Sequence, residues 1–148
     1  MTARTKFLDY ALSQIDKPCL MGAKGDDAFD CSGLVTCALR AAGGPDLTKT
    51  HNANALGNGT RLLLPDERPI PGDLILFDAD GNDVDEHVAI VLAGDRAIDA
   101  EGATHSVTSI EEAVRRMARV RLHDRLDWRR GGKIHRNTYL DDLDKVTR

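Results

Sequence analysis

Two spacings of apolar residues divide this chain. Phe7, Leu8, Ala11, Leu12 and Ile15 recur at helical spacing and predict a helix over 3–16, closed by Pro18. Leu34, Val35, Ala38, Leu39 and Ala42 repeat the pattern and predict a second helix, from Cys31 to about Ala42, which Gly43-Gly44-Pro45 stops. Short apolar runs bounded by turn residues follow: Leu74–Phe77, His87–Leu92 and Arg96–Ala100, with Ala93-Gly94-Asp95 as the turn between the last two. Ser106-Val107-Thr108 reads as a short fourth strand. Ser109 and Glu112 have capping-box spacing for a helix reaching about Met117, and Arg119–Leu122 alternates as a further strand. Residues 17–28 read as a Gly- and Asp-rich loop, and 43–69 as irregular apart from a short helix near 50–56. The tail after Trp128 is charged and ends in a helical turn over Tyr139–Val146. Helices first and then hairpin-linked strands give an α+β fold, an antiparallel sheet packed against the Cys31 helix.

Length and composition narrow the function. At 148 residues the chain builds one domain, with a core over about 8–123 and 124–148 as a C-terminal extension. A net charge of −4 and 4% aromatic residues argue against nucleic acid as the partner. Three cysteines, Cys19, Cys31 and Cys37, form neither an even disulfide set nor a zinc pattern, and the five histidines show no HxxxH spacing, so no metal or other cofactor is expected. Asp78-Ala79-Asp80-Gly81-Asn82 opens like a calcium loop, but the sixth and twelfth positions hold Asp83 and Ala89, and the stretch reads as a turn. No signal peptide and no membrane span are visible, which predicts synthesis in the cytoplasm.

The chemistry gathers at Phe29-Asp30-Cys31-Ser32-Gly33. Asp30 stands where a carboxylate can accept from the free N–H groups of a helix's first turn. Cys31 then occupies the first helical residue, where those N–H groups and the helix dipole favour an anion, and thiolate is the reactive form of cysteine. A free cysteine also reads as a small buried hydrophobe, so Cys31 needs a base before it counts as a nucleophile. His87 opens a strand after a polar loop, which predicts a ring at the sheet edge facing the helix; alone, it also reads as a solvated polar residue. With a three-residue turn at 93–95, Leu92 pairs with Arg96 and Ala89 with Asp99. His87 then lies opposite Glu101, with Asp99 diagonal on the same face. Either carboxylate can hold one ring nitrogen of His87.

Three blocks, Phe29–Val35, Pro71–Phe77 and His87–Val91, resemble in order and spacing the NlpC/p60 family of cell-wall cysteine peptidases. The resemblance covers about residues 8–123. It implies a papain-like α+β fold and hydrolysis of peptidoglycan stem peptides, typically between D-glutamate and the diamino acid. Cys31 is the implied nucleophile and His87 its base. Asp99 matches the third polar position, where the family often has histidine, with Glu101 in reserve. Asp30 and Ser32 match positions that in some members bind the free amine of the stem's L-alanine, a role that suits a carboxylate and a hydroxyl. Where the family usually has an aromatic after proline, this chain has Pro18-Cys19. A cysteine amidase or acyltransferase on the same fold, and a catalytically silent wall-binding component, are the alternatives. A wall hydrolase made without a leader fits a phage lysin, a delivered effector or a recycling enzyme. It would act at the wall or periplasm, with delivery machinery or an immunity protein as partners.

Overall fold

The structure, a computed structural model, describes residues 1–25, 27–103 and 107–146. In chain order the elements are α1 (Ala3–Ser13), β1 (Lys24–Gly25), β2 (Ala28–Phe29), α2 (Cys31–Ala41), α3 (Ala53–Asn58), β3 (Arg61–Leu62), β4 (Leu74–Phe77), β5 (His87–Leu92), β6 (Arg96–Glu101), α4 (Ile110–Arg115), β7 (Arg119–His123), β8 (Gly132–Arg136) and α5 (Thr138–Val146). Six strands form one antiparallel sheet in the order β3-β8-β4-β5-β6-β7, and β1 and β2 make a separate two-stranded ribbon. This is the α+β arrangement expected from the sequence, with α2 laid on the sheet.

Strand alternation gives the sheet two apolar faces. Leu74, Leu76, Val88, Ile90 and Ile98 face the helices and meet Leu34, Val35 and Leu39 of α2 and Phe7 of α1. Ile75, Phe77, Ala89, Val91 and Ala97 face the other way, under Leu126, Trp128 and Ile134. The helix layer holds the larger cluster, and each large side chain buried there contributes roughly 1.5–3 kcal/mol.

Several boundaries differ from the sequence pattern. α1 stops at Ser13, because Asp16 takes a left-handed φ of 72° and turns the chain before Pro18. Leu12, placed on its apolar face by spacing, is exposed. The 17–28 loop contains the β1–β2 ribbon, with Lys24 opposite Phe29. α3 starts at Ala53, where Asn52 caps it by accepting from the Ala55 N–H at 2.9 Å. Ser109 caps α4 as expected, but Glu112 turns to Arg115 and Arg116, and the helix ends before Met117, which has φ 57°. Of the fourth strand expected at 106–108, Ser106 lies outside the described residues, and Val107 and Thr108 belong to no strand. The charged tail supplies β8, which sits between β3 and β4 and pairs Ile134 with Ile75. Buried Asp73 ties that strand in, accepting from the Asn137 N–H at 3.3 Å and pairing with Arg136 at 3.0 Å. Asp78 accepts from the N–H groups of Gly81, Asn82 and Asp83, which accounts for the 78–82 stretch as a turn.

The start of α2 is locked to the loop before it. The Asp30 N–H donates to the Ala23 carbonyl at 2.8 Å, and a Cβ built on Gly33 would overlap that same carbonyl oxygen. Gly33 is therefore required by close backbone approach, although alanine is the better helix former by about 1 kcal/mol. Gly33→Ala is expected to destabilise the fold by about 1–3 kcal/mol, as overpacking against unyielding backbone does. A thermal melt checks this, and a variant melting at or above the wild type would refute it.

Candidate active site

Cys31 is the first residue of α2. Asp30 caps the helix from an extended backbone, and its Oδ1 accepts from the Gly33 N–H at 2.6 Å. Cys31 is partly exposed, in a cleft of about 350 Å³ that is also lined by Cys19, Asp30, Ser32, His87 and Glu101. Burial pushes the Cys19 thiol up to about 12, so it stays protonated beside the cleft at neutral pH.

His87 is the first residue of β5 and pairs across to Phe77, whose ring lies 5.5 Å from the imidazole. By strand parity it shares the face of Ala89 and Val91, the face away from α2, rather than facing the helix as the sequence suggested. It meets Cys31 because both stand at the ends of their elements, His87 at the first position of its strand and Cys31 at the first turn of its helix. Nε2 of His87 lies 2.6 Å from Asp99 Oδ2. The bond leaves Nδ1 as the ring nitrogen for the cleft. Burial opposes a charge on the ring, but hydrogen bonds to Asp99 and to Cys31 outweigh it and raise His87 to about 9.

Asp99 is fully buried, and each of its oxygens has a partner. Oδ2 meets His87, and Oδ1 lies 2.8 Å from Nε2 of His123. Burial would favour the neutral acid, yet the bonds from His123 and His87 hold Asp99 below the usual carboxylate range. His123 is fixed in turn by Trp128, whose ring stacks on it with centroids 3.9 Å apart and planes 10° from parallel. The hairpin has the register expected from the three-residue turn: Leu92 pairs with Arg96, Val91 with Ala97 and Ile90 with Ile98. Asp99, not Glu101, contacts His87. Glu101 lies on the same row, 3.5 Å from His123 and 3.4 Å from Arg121, and burial together with the Asp99 charge raises its pKa. Donor atoms of His87, Asp99 and Glu101 fall within 4.8 Å of one another, but both Asp99 oxygens and His87 Nε2 are already committed to hydrogen bonds.

Sequence reasoning missed His123. β7 pairs Asp99 with Arg121, so His123, two residues on, is a diagonal neighbour of Asp99 on the same face. Extending the parity count from β6 to the next strand is the signal that finds it.

Asp30 and Ser32 come together as the sequence suggested, and an ammonium is already between them. Lys24 Nζ donates to Asp30 Oδ1 at 2.9 Å, to Oδ2 at 3.0 Å and to Ser32 Oγ at 2.9 Å. Lys24 reaches this point from β1, on the ribbon that leads into the helix.

This chain is similar to known proteins in sequence and in fold. The probable endopeptidase Rv2190c of Mycobacterium tuberculosis is 35% identical over 80 residues, which are 53% of this chain and 20% of that protein. This chain thus spans about a fifth of the length of that relative. Among solved structures, the peptidoglycan hydrolase RipB of M. tuberculosis superposes with a TM-score of 0.63 at 24% identity, covering 91% of this chain and 64% of that one. RipD of the same organism, described as a non-catalytic NlpC/p60 domain protein adapted to peptidoglycan binding, superposes with a TM-score of 0.62 at 18% identity, covering 92% of this chain and 98% of that one. Likeness at such identity establishes the fold, and the NlpC/P60 family model matches residues 16–124. With Cys31 at the head of its helix and His87 at the head of its strand inside the matched span, this chain belongs to the NlpC/P60 family.

Proposed function

We propose that this chain is a cysteine endopeptidase that cleaves peptidoglycan stem peptides, at the bond between D-glutamate and the diamino acid. The observation that carries the reading is a single histidine, His87, held on one nitrogen by buried Asp99 and turned with the other toward the cleft that contains Cys31. The endopeptidase name of the M. tuberculosis relative and the peptidoglycan hydrolase among the solved structures support the substrate class. The presence of nucleophile, base and acid in one chain favours turnover over the binding role described for RipD. Peptidoglycan as substrate puts the work at the cell wall, and no described helix is long and apolar enough to cross a membrane.

The reaction follows from these positions. His87 takes the Cys31 proton, and the thiolate adds to the scissile carbonyl carbon. The oxyanion forms at the head of α2, where the Cys31 N–H and the helix dipole can stabilise it. On collapse the C–N bond breaks and His87 gives its proton to the leaving amine. Water then attacks the thioester, His87 takes the water proton, and the acid leaves as Cys31 recovers its proton. Asp99 keeps the ring oriented and stabilises the imidazolium form throughout. Incubation with purified muropeptides is the test: the reading expects a new free amine on the diamino residue, and no turnover at equal enzyme and substrate concentration would reject it.

The third residue has its own test. Asp99→Asn is nearly isosteric, keeps the fold and removes the charge under His87. In serine-protease triads the equivalent change costs about 10⁴-fold in kcat; here the loss should be roughly 10- to 1000-fold, since thiolate depends less on its base. Glu101→Gln should change kcat only a few-fold. If Glu101→Gln is the crippled variant and Asp99→Asn is near wild type, Glu101 takes the third place.

The charge on His87 also links stability to pH. A histidine whose folded pKa is raised stabilises the fold most below its unfolded value, and that contribution is lost as pH rises through the folded one. The window therefore runs from about 6.5 to about 9. The wild type should lose its pH-dependent advantage over His87→Gln across this window, as measured by denaturant melts at stepped pH. A constant difference would contradict the charged pair.

A further inference from the structure

The Asp30–Ser32 pair already holds an ammonium, that of Lys24. The two oxygens of Asp30 accept five hydrogen bonds from four donors: Lys24 Nζ on both, Ser32 Oγ at 3.2 Å and the Gly33 N–H at 2.6 Å on Oδ1, and the Gly22 N–H at 3.1 Å on Oδ2. A carboxylate offers about four lone-pair positions, so Asp30 has no acceptor left for a second ammonium. The pair is largely shielded, with the Lys24 side chain 30% exposed and that of Asp30 16% exposed. Lys24 is also tethered close by. Its own carbonyl accepts from Cys37 Sγ at 2.9 Å, and its strand pairs with β2 immediately before Asp30. An ammonium arriving from solution competes with one whose effective concentration is set by a six-residue separation, at the millimolar level or above.

We infer that Lys24 is a specificity-determining residue, and that by filling the ammonium site beside Cys31 it directs this enzyme to stem peptides whose N-terminal nitrogen is acylated. This rests on the stem-peptide reading given above. An acylated nitrogen carries no charge, so it has no need of Asp30 and nothing to displace. Stems still joined by an amide to the glycan have that chemistry, whereas released stems with a free L-alanine amine do not. The free-amine stem must break the Lys24 contacts to Asp30 and Ser32 and leave a second ammonium nearby.

Calorimetric binding to the Cys31→Ala protein tests this apart from catalysis. The probes are L-alanyl-γ-D-glutamyl-diaminopimelate and the same tripeptide N-acetylated. The acetylated peptide should bind more tightly, and adding Lys24→Met should shift the affinity ratio toward the free-amine peptide by tenfold or more. Lys24→Arg, which keeps a cation on Asp30, should leave the ratio near its parental value; Lys24→Gln serves if the Met variant melts early. A ratio moved less than twofold by losing the cation overturns the inference, including the case in which neither peptide binds. The endopeptidase reading fails separately, on absent turnover of intact sacculi by the wild-type protein.

Discussion

A carboxylate with no exposed surface, Asp99, is the constraint on which the cleft depends. An isolated buried charge of this kind costs several kcal/mol and would ordinarily take up a proton. Two imidazoles prevent that, His87 on one oxygen and His123 on the other. The arrangement needs three adjacent strands in one register, with β5 giving His87, β6 giving Asp99 and β7 giving His123. It also needs Trp128 against His123 to fix the ring that is remote from the cleft. Once Asp99 is held ionised, His87 is basic and oriented beside the cleft that holds Cys31.

The fold divides the labour between two layers. The helix layer brings the proposed nucleophile, because Asp30 caps α2 and leaves Cys31 on its first residue. The opposite face of the sheet brings the proposed base, His87, and its support, in the row of Phe77, Ala89 and Val91. The two sets meet only at the ends of their elements, where the cleft opens. Gly33 and the Ala23 carbonyl keep the head of the helix in place, and the same short loop carries Lys24 to Asp30. The placement of Cys31, its cap and the Lys24 contact to Asp30 and Ser32 are thus consequences of one local structure.

Much of this was legible in the amino-acid sequence, and the missing parts share a cause. The Asp30 cap and the apolar stripe of α2 are local signals. The turn at 93–95 sets the β5–β6 register, and from it follows the proximity of Asp99 to His87. What escaped depends on distant pairing. β8 has a single aliphatic residue, Ile134, in Gly132–Arg136, so its burial comes from its neighbours β3 and β4 rather than from its own pattern. His123 acquires meaning only once β7 is laid beside β6. Lys24 lies in a polar Gly- and Asp-rich loop, where a lysine has no distinguishing pattern until the ribbon folds its ammonium onto Asp30.

The cleft depends on His87 being held by Asp99 as a strongly basic ring beside Cys31. Direct titration of the ring by ¹⁵N NMR on labelled protein measures this most closely, because it reads the protonation of each ring nitrogen. The structure predicts a His87 midpoint near 9, with Nε2 remaining in its hydrogen bond to Asp99 on both sides of it. In Asp99→Asn the midpoint should fall. A wild-type midpoint at or below the ordinary 6.5, unchanged by that substitution, would contradict the account.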